Sequence, residues 1–134
     1  MMTKATRQYP RKLAELFHVL GQPARLRILL VIGEGEACVC HLQAYLGYRQ
    51  AYISQHLMEL REAGILDARR EGRFIFYQLR DPALLQLIQQ AAKLVGIPHT
   101  ELDSLSQGRP LVQCSCPHCT GEPLSSLISV ENVT

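Results

Sequence analysis

The chain contains five cysteines, and they fall into two tight groups. Cys38 and Cys40 form a Cys-x-Cys pair, and Cys114, Cys116 and Cys119 form a Cys-x-Cys-x-x-Cys group near the C-terminus. Thiolates at this spacing can hold a soft metal ion, whereas an odd number of clustered cysteines does not suit a disulfide framework. We therefore expect ligand chemistry in a reducing compartment, although the spacing alone does not name the ligand.

One small folded domain must position these thiols. The 134 residues are 47% hydrophobic and 19% charged, which is typical of a single globular core. The sequence shows no apolar run of the length that a membrane span needs, and charges and a proline stand where a signal peptide would be apolar. We expect a cytoplasmic protein with no membrane partner.

Charge is distributed unevenly along the chain, although the net charge is only +2. Residues 1–27 carry six basic side chains and one acidic one, whereas residues 81–134 carry two basic and five acidic ones. This asymmetry indicates a body that binds a polyanion and an attached C-terminal element. A weakly basic total does not exclude DNA, because binding depends on a local patch.

Hydrophobic periodicity and breaker residues predict a mainly α-helical fold with one β-hairpin. The predicted helices cover residues 11–20, 24–32, 41–46, 50–63 and 83–95. The hairpin joins residues 65–70 to residues 73–79 across Glu71 and Gly72. The pattern of residues 97–108 favours neither a helix nor a strand.

The segment CHLQAYLGYRQAYISQHLMEL, residues 40–60, has the pattern of a helix-turn-helix. A short helix ends at Gly47, and a second helix follows whose outward side chains can bond to bases or phosphates. These candidate DNA-binding residues, none of them acidic, are Arg49, Gln50, Tyr52, Ser54, Gln55 and His56. A helical hairpin with a solvated polar face is the alternative.

The predicted hairpin adds a basic tip to this unit. Arg69, Arg70 and Arg73 flank the turn, where a wing could reach backbone phosphate or a minor groove. A solvated sheet edge would look the same in isolation. Beside a helix-turn-helix, however, the basic tip favours a DNA-binding wing.

The chain resembles the ArsR/SmtB family of winged helix-turn-helix metal-sensing repressors. The resemblance rests on LFHVLGQPARLRILLVI, EACVCHL, RQAYISQHLMELREAGIL and RREGRFIFYQL, all between about residues 13 and 95. It implies a homodimer, paired through its first and last helices, that binds an operator palindrome and dissociates when metal binds. The recognition residues would be Gln50, Tyr52, Ser54, Gln55 and His56, with the three arginines on the wing. Residues 1–96 would then form the DNA-binding and dimerisation domain, and residues 97–134 a cysteine-containing extension.

The Cys38–Cys40 pair matches the family's ELCVCDL-type metal-binding segment, with Ala37 and His41 in place of Leu and Asp. On a regular helix the two thiols would point about 200° apart, but they can converge where the backbone is irregular near a helix start. A third cysteine that some arsenic sensors carry is replaced here by Gln43. A soft ion prefers three or four thiolates. We therefore expect the tail cysteines to complete the site, within one chain or between two.

A trithiolate would suit As(III) or Sb(III), which we favour as inducers, and a tetrathiolate would suit Cd(II) or Pb(II). Zn(II) is a further alternative, as are a separate zinc or redox group in the tail and an inert buried Cys38–Cys40 pair. The family's Asp-x-His and His-x-x-Glu zinc pattern is missing from the last helix, where Asp81 is followed by Pro82 and Ala83. His18 and His99 receive no role.

Three other functions compete with that of a metal-responsive repressor. The same DNA-binding fold could respond to thiol oxidation, because both cysteine groups can form disulfides. An enzyme with a cysteine nucleophile is disfavoured, because the sequence has no phosphate loop, no nucleophile elbow and no evident general base. A zinc-dependent interaction module without DNA is the third. We expect a DNA-binding repressor and not an enzyme.

Overall fold

The computed structural model describes residues 3–106, which form six helices and one three-stranded antiparallel sheet. In chain order the elements are α1 (Lys4–Leu20), α2 (Pro23–Ile32), β1 (Ala37–Cys38), α3 (Val39–Leu46), α4 (Gln50–Glu62), β2 (Leu66–Glu71), β3 (Phe74–Leu79), α5 (Ala83–Leu94) and α6 (His99–Ser106). The mainly helical fold with a β-hairpin is confirmed. Within these residues no helix has the length and apolar character needed to cross a membrane.

The core lies where α2, α3 and α4 meet the sheet. Its fully buried side chains include Ile28 and Leu29 from α2, Leu42 from α3, and Ile53 and Leu57 from α4. Their helical spacing in the sequence explains why each helix turns one apolar face inward. This packing holds one face of α4 against α2, α3 and the sheet, and it leaves the opposite face of α4 exposed to solvent.

The turn between α3 and α4 follows the predicted helix-turn-helix. Gly47 caps α3 with a φ of 74°, a left-handed conformation that glycine adopts without steric cost. Its N–H donates to the carbonyl of Gln43 at 2.9 Å. The short turn places α4 directly after α3, as the sequence predicted.

Helix α1 begins seven residues earlier than predicted. Thr3 caps it by accepting a hydrogen bond from the N–H of Thr6 at 3.1 Å. Pro10 lies inside the helix, and because proline ends or distorts most helices the sequence placed the start after it. The longer helix carries an exposed apolar stripe of Tyr9, Leu13 and Phe17, spaced four residues apart.

The sheet has the order β1-β3-β2, with both pairs antiparallel. Strands β2 and β3 form the predicted hairpin, and Gly72 at its tip has a φ of 60°. Strand β1 was not predicted, because it is only two residues long and depends on pairing with β3. In that pairing Cys38 lies opposite Phe76.

Helix α6 extends the folded body beyond residue 96. It packs against α2 and α5, and its Leu102 is only 6% exposed within the main core. The first residues of the predicted extension therefore belong to the body, and residue 96 does not mark where packing ends. The division of the chain into domain and cysteine-containing extension stays a prediction.

Candidate functional site

The Cys38–Cys40 pair lies at the junction of β1 and α3. Cys38 has extended backbone, at φ −92° and ψ 170°, and its sulfur caps α3 by accepting the N–H of His41 at 3.4 Å. Cys40 lies in the first turn of α3. The two sulfurs are 2.9 Å apart, so the change from strand to helix brings them together. The predicted convergence at an irregular helix start is confirmed.

The sulfur pair suits a soft ion as two of its ligands. A thiolate lies about 2.3 Å from a bound zinc ion, so two ligands of a tetrahedral site are about 3.8 Å apart. Side-chain rotations that separate the sulfurs by about 1 Å would therefore suffice. Cys38 is 2% exposed and Cys40 is half-buried, so the pair opens to solvent mainly at Cys40.

The pair does not form a complete metal site in the part of the chain that the structure describes. Among residues 3–106 no group of three or more His, Cys, Asp or Glu side chains could hold a metal ion. Cys114, Cys116 and Cys119, predicted as further ligands, lie outside the described residues. Their joining with Cys38 and Cys40 stays a prediction.

The β2–β3 hairpin forms the wing. The two cysteines are connected to it through backbone pairing of strands and through one ion pair. Cys38 pairs with Phe76 of β3, and Glu36, two residues earlier, binds Arg69 of β2. The Arg69 guanidinium also lies 4.9 Å from the centre of the Phe76 ring and bonds to Glu71. Cys38 and the wing therefore lie in one continuous sheet, and Cys40 follows at the start of α3.

Most predicted DNA-reading side chains lie on the solvent face of α4 or just before it. Arg49 precedes the helix, and the exposed residues after it are Gln50, Tyr52, Ser54 and Gln55. Tyr52, at 47% exposed, packs edge-on against both Tyr48 and His56. The outward orientation of these five residues is as predicted, and their contact with DNA stays a prediction.

His56 was wrongly placed on the outward face. Its side chain is buried, at 7% exposed, and its Nδ1 accepts a hydrogen bond from Nε of Arg25 at 3.1 Å. The buried arc of α4 is wider than the leucine and isoleucine spacing indicated, because Arg25 of α2 draws His56 inward. Burial, together with the positive charge of Arg25, lowers the pKa of His56 below 6.5.

The three wing arginines are exposed, but they differ in their contacts. Arg70 and Arg73 lie near the tip, where the Arg73 guanidinium is 5.3 Å from the centre of the Phe74 ring. Arg69 is held by Glu36 and Glu71, and the hydrogen bond to Glu36 raises the pKa of Arg69. Arg69 is therefore tied to the sheet, and the DNA contacts predicted for all three stay predictions.

Sequence reasoning missed two residues that connect these parts. Glu36 received no role from the sequence, because nothing in the local pattern indicates its pairing with β2. Arg25 was counted as one of several N-terminal basic residues, yet it is 5% exposed. Its position inside the apolar run ARLRILLVI was the available signal, because a charge there must find buried partners.

Comparisons with known proteins match this part of the chain. A family model described as "Bacterial regulatory protein, arsR family" matches residues 22–68, from just before α2 into β2. The chain is 40% identical over 91 residues to the biofilm growth-associated repressor of Agrobacterium fabrum, over 68% of this chain and 78% of that protein. It is 41% identical over 92 residues to the arsenic resistance transcriptional regulator ArsR1 of Pseudomonas putida, over 68% and 70%.

Solved structures show the same architecture. The crystal structure of the AntR antimony-specific transcriptional repressor superposes with a TM-score of 0.60 at 31% identity. The match covers 71% of this chain and 84% of that one. The likeness therefore extends over most of this chain and of that one.

Proposed function

Because the chain belongs to the ArsR/SmtB family of DNA-binding transcriptional regulators, we propose that it is a homodimeric repressor that releases its operator on binding a thiophilic ion. Members of this family are winged helix-turn-helix regulators and not enzymes. The favoured inducers are As(III) and Sb(III). The observation that carries the proposal is the Cys38–Cys40 sulfur pair, 2.9 Å apart at the entry to the DNA-reading helices.

Operator binding is assigned to α4 and the wing. The solvent face of α4 offers hydroxyl, amide and phenol groups that can bond to base edges in the major groove. Arg70 and Arg73 extend the basic surface to the wing tip, where phosphates or a minor groove would lie. One such unit contacts few base pairs, so a two-fold dimer on a palindrome supplies the specificity.

The dimer is assigned to the apolar stripe on α1. Tyr9, Leu13 and Phe17 are each more than half exposed, and three large apolar side chains in one row are costly to leave in water. Leu94 and Val95, at and just after the end of α5, are also exposed, and Val95 lines the same groove as Phe17. A second copy of the chain would cover both surfaces, in agreement with the dimer that the family resemblance implies.

The thiols supply two ligands, and tail cysteines are proposed to supply the rest. The N–H of His41 donates a hydrogen bond to Cys38 Sγ. This bond favours an anionic sulfur, because charged acceptors form stronger hydrogen bonds than neutral ones. Two thiolates and one more from Cys114, Cys116 or Cys119 would give the three-sulfur site that As(III) and Sb(III) prefer. The arsenic and antimony regulators among the similar proteins support this choice of ion.

Release follows from the position of the pair. Ion binding can weaken operator affinity only if the ion-bound arrangement favours a conformation that fits DNA less well. Gathering both sulfurs and a further ligand from the tail around one ion would pull on the end of β1 and the start of α3, and both segments are joined to the elements proposed to contact DNA. Through α3 the change reaches α4, and through the Glu36–Arg69 pair and the β1–β3 ladder it reaches the wing.

Two alternatives keep the same fold. Cd(II), Pb(II) or Zn(II) would use the same thiols with four ligands in place of three. Oxidation is the other, since sulfurs in contact could lose two protons and two electrons to a peroxide and form a Cys38–Cys40 disulfide. In agreement with a signal other than a metal ion, the name of one similar protein, the biofilm growth-associated repressor, mentions no metal.

The test is a titration of the reduced, full-length protein with As(III), Sb(III), Cd(II) and Pb(II) in turn, followed by the ultraviolet thiolate-to-ion absorption. For the wild type we expect saturation at one As(III) per chain and the loss of three reactive thiols per bound ion. For Cys38→Ser and for Cys40→Ser we expect the absorption signal to be lost. Saturation that survives both substitutions would contradict the assignment of the site. A response to peroxide with no ion signal would favour the redox alternative.

A further inference from the structure

Arg25 is a buried cation in an otherwise apolar helix. It lies in the first turn of α2 at 5% exposed, where the partial positive charge of the helix N-terminus makes a cation unfavourable. A buried charge costs free energy unless it is paired, and an apolar side chain of similar volume often serves the fold equally well. The contacts of Arg25 therefore require an explanation other than the filling of space.

Its guanidinium connects three helices through three different nitrogens. Nη1 donates to the carbonyl oxygen of Val19 at the end of α1, at 3.0 Å. Nε donates to Nδ1 of His56 at 3.1 Å, and Nη2 pairs with the carboxylate of Glu59. His56 and Glu59 are three residues apart on α4, so both lie on the helix face that turns toward α2.

Two directional contacts on one face fix the rotation of α4 about its axis. The apolar contacts of Ile53 and Leu57 hold the helix at its depth, but hydrophobic contact is non-directional. A rotation of about 20° would move side-chain ends, which lie about 5–6 Å from the axis, by about 2 Å. That displacement exceeds what hydrogen-bond geometry tolerates between side chains such as Gln55 and base edges.

His56 takes part as a neutral acceptor. Arg25 Nε can only donate, so Nδ1 of His56 must lack a proton and Nε2 must carry it. Within the described residues Nε2 is buried without a hydrogen-bond partner, so His56 is held by Arg25 and by the edge-on Tyr52 ring. The charged group in contact with His56 is Arg25, which is itself paired with Glu59, and Tyr52 is the other titratable neighbour of His56.

We infer that Arg25 is a positioning residue for operator reading, which sets the orientation of α4 against α1 and α2 without contacting DNA. The inference rests on the proposed function only in that α4 reads the operator. It also connects α1, which carries the proposed dimer face, to the DNA-reading helix through one side chain. The relative orientation of α4 in the two protomers would then depend on this contact.

The test compares specific with non-specific binding by inducer-free, full-length protein. The operator is selected from random-sequence DNA by the wild-type protein, and a shuffled duplex of equal length serves as the non-specific probe. For Arg25→Met we expect the ratio of the two affinities to fall at least tenfold, while the slope of affinity against salt stays unchanged. An unchanged ratio would overturn the inference. If both affinities fell equally and the salt slope fell by about 1, Arg25 would instead be a phosphate contact.

Glu59→Gln provides a second test that keeps Arg25 in place. Its side chain is 40% exposed, so the substitution should leave the protein folded while weakening one of the two contacts on α4. We expect the affinity ratio to fall about threefold or more, whereas Glu62→Gln, an equal charge change one turn further along α4, leaves it unchanged. Equal effects of the two variants would overturn the inference. The double variant Arg25→Met with Glu59→Gln should be no worse than Arg25→Met alone, since the two residues act as one unit.

Discussion

Arg69 on the wing and Glu36 beside the thiol pair are joined by two parallel hydrogen bonds. Nε of Arg69 donates to one carboxylate oxygen, and Nη2 donates to the other at 3.0 Å. Paired bonds of this kind fix geometry more tightly than a single contact between charges. Since Glu36 is two residues from Cys38, a change at the sulfurs has a short path to the wing.

Breaking the Glu36–Arg69 ion pair should reduce the effect of the inducer on operator affinity more than it reduces the operator affinity itself. Glu36→Gln keeps the size of the side chain but removes its charge, so Arg69 is held less firmly when β1 moves. In the wild type we expect As(III) to lower operator affinity by a factor in the usual range for coupled sites, about 5–150-fold. In Glu36→Gln we expect this factor to be several-fold smaller. Fluorescence anisotropy with labelled operator measures both affinities.

Glu34→Gln is the matched control, because Glu34 is exposed and lies two residues before Glu36. It should leave the affinity ratio unchanged. A full response to As(III) in the Glu36→Gln protein would show that the wing is not part of the path.

Reading of bases and contact with phosphates should be separable on α4 and the wing. Gln55→Ala removes a bidentate amide, so we expect a loss of about 1–3 kcal/mol on the preferred operator and little change on other DNA. Arg70→Ala should weaken binding to all sequences and reduce the salt slope by about 1. Titrations at several salt concentrations test both, and a sequence-independent loss from Gln55→Ala would contradict the placement of α4 in the groove.

The apolar stripe on α1 should hold the dimer. Leu13→Glu places a charge at the middle of the stripe, and we expect the mass in solution to fall from that of two chains to that of one at micromolar concentration. Arg11→Glu, on the opposite side of the same helix, should leave the dimer intact. Light scattering during size-exclusion chromatography gives the mass, and a Leu13→Glu protein that stays dimeric would exclude the stripe as the interface.

Stability should decrease in mild acid because of His56. Its pKa is lowered in the folded protein, so below about 6.5 the unfolded chain binds the proton more readily than the folded one. The contribution of neutral His56 is therefore complete above pH 6.5 and is lost as the pH falls toward the lowered value. Urea unfolding midpoints between pH 8 and pH 5 measure this.

His56→Asn retains an acceptor close to the position of Nδ1 but does not titrate in this range. The difference in stability between wild type and His56→Asn should change with pH, and other histidines cancel in the comparison. A constant difference across the pH series would show that His56 titrates normally and is not held as described.

Much of the fold follows from local sequence patterns. The turn at Gly47 and the hairpin tip at Gly72 were predictable because glycine supplies a left-handed conformation there. The convergence of Cys38 and Cys40 was predictable from their place at the start of a helix. Each of these features is decided by residues close together in the chain.

Features that depend on distant partners were not predictable in the same way. Strand β1 exists because β3 pairs with it, and Pro10 concealed the true start of α1. The inward orientation of His56 depends on Arg25, 31 residues earlier, and a histidine between polar neighbours carries no local sign of it. The predicted outward orientation of the α4 side chains was therefore correct for all but this residue, and their contact with DNA stays a prediction.

The most direct test of the central claim is operator affinity of reduced, full-length protein with and without stoichiometric As(III). We predict that the ion weakens binding at least fivefold in the wild type and not at all in a protein carrying Cys38→Ser and Cys40→Ser, which should still bind the operator normally. Unchanged operator affinity of the wild type with As(III), Sb(III), Cd(II) and Pb(II) would contradict the account.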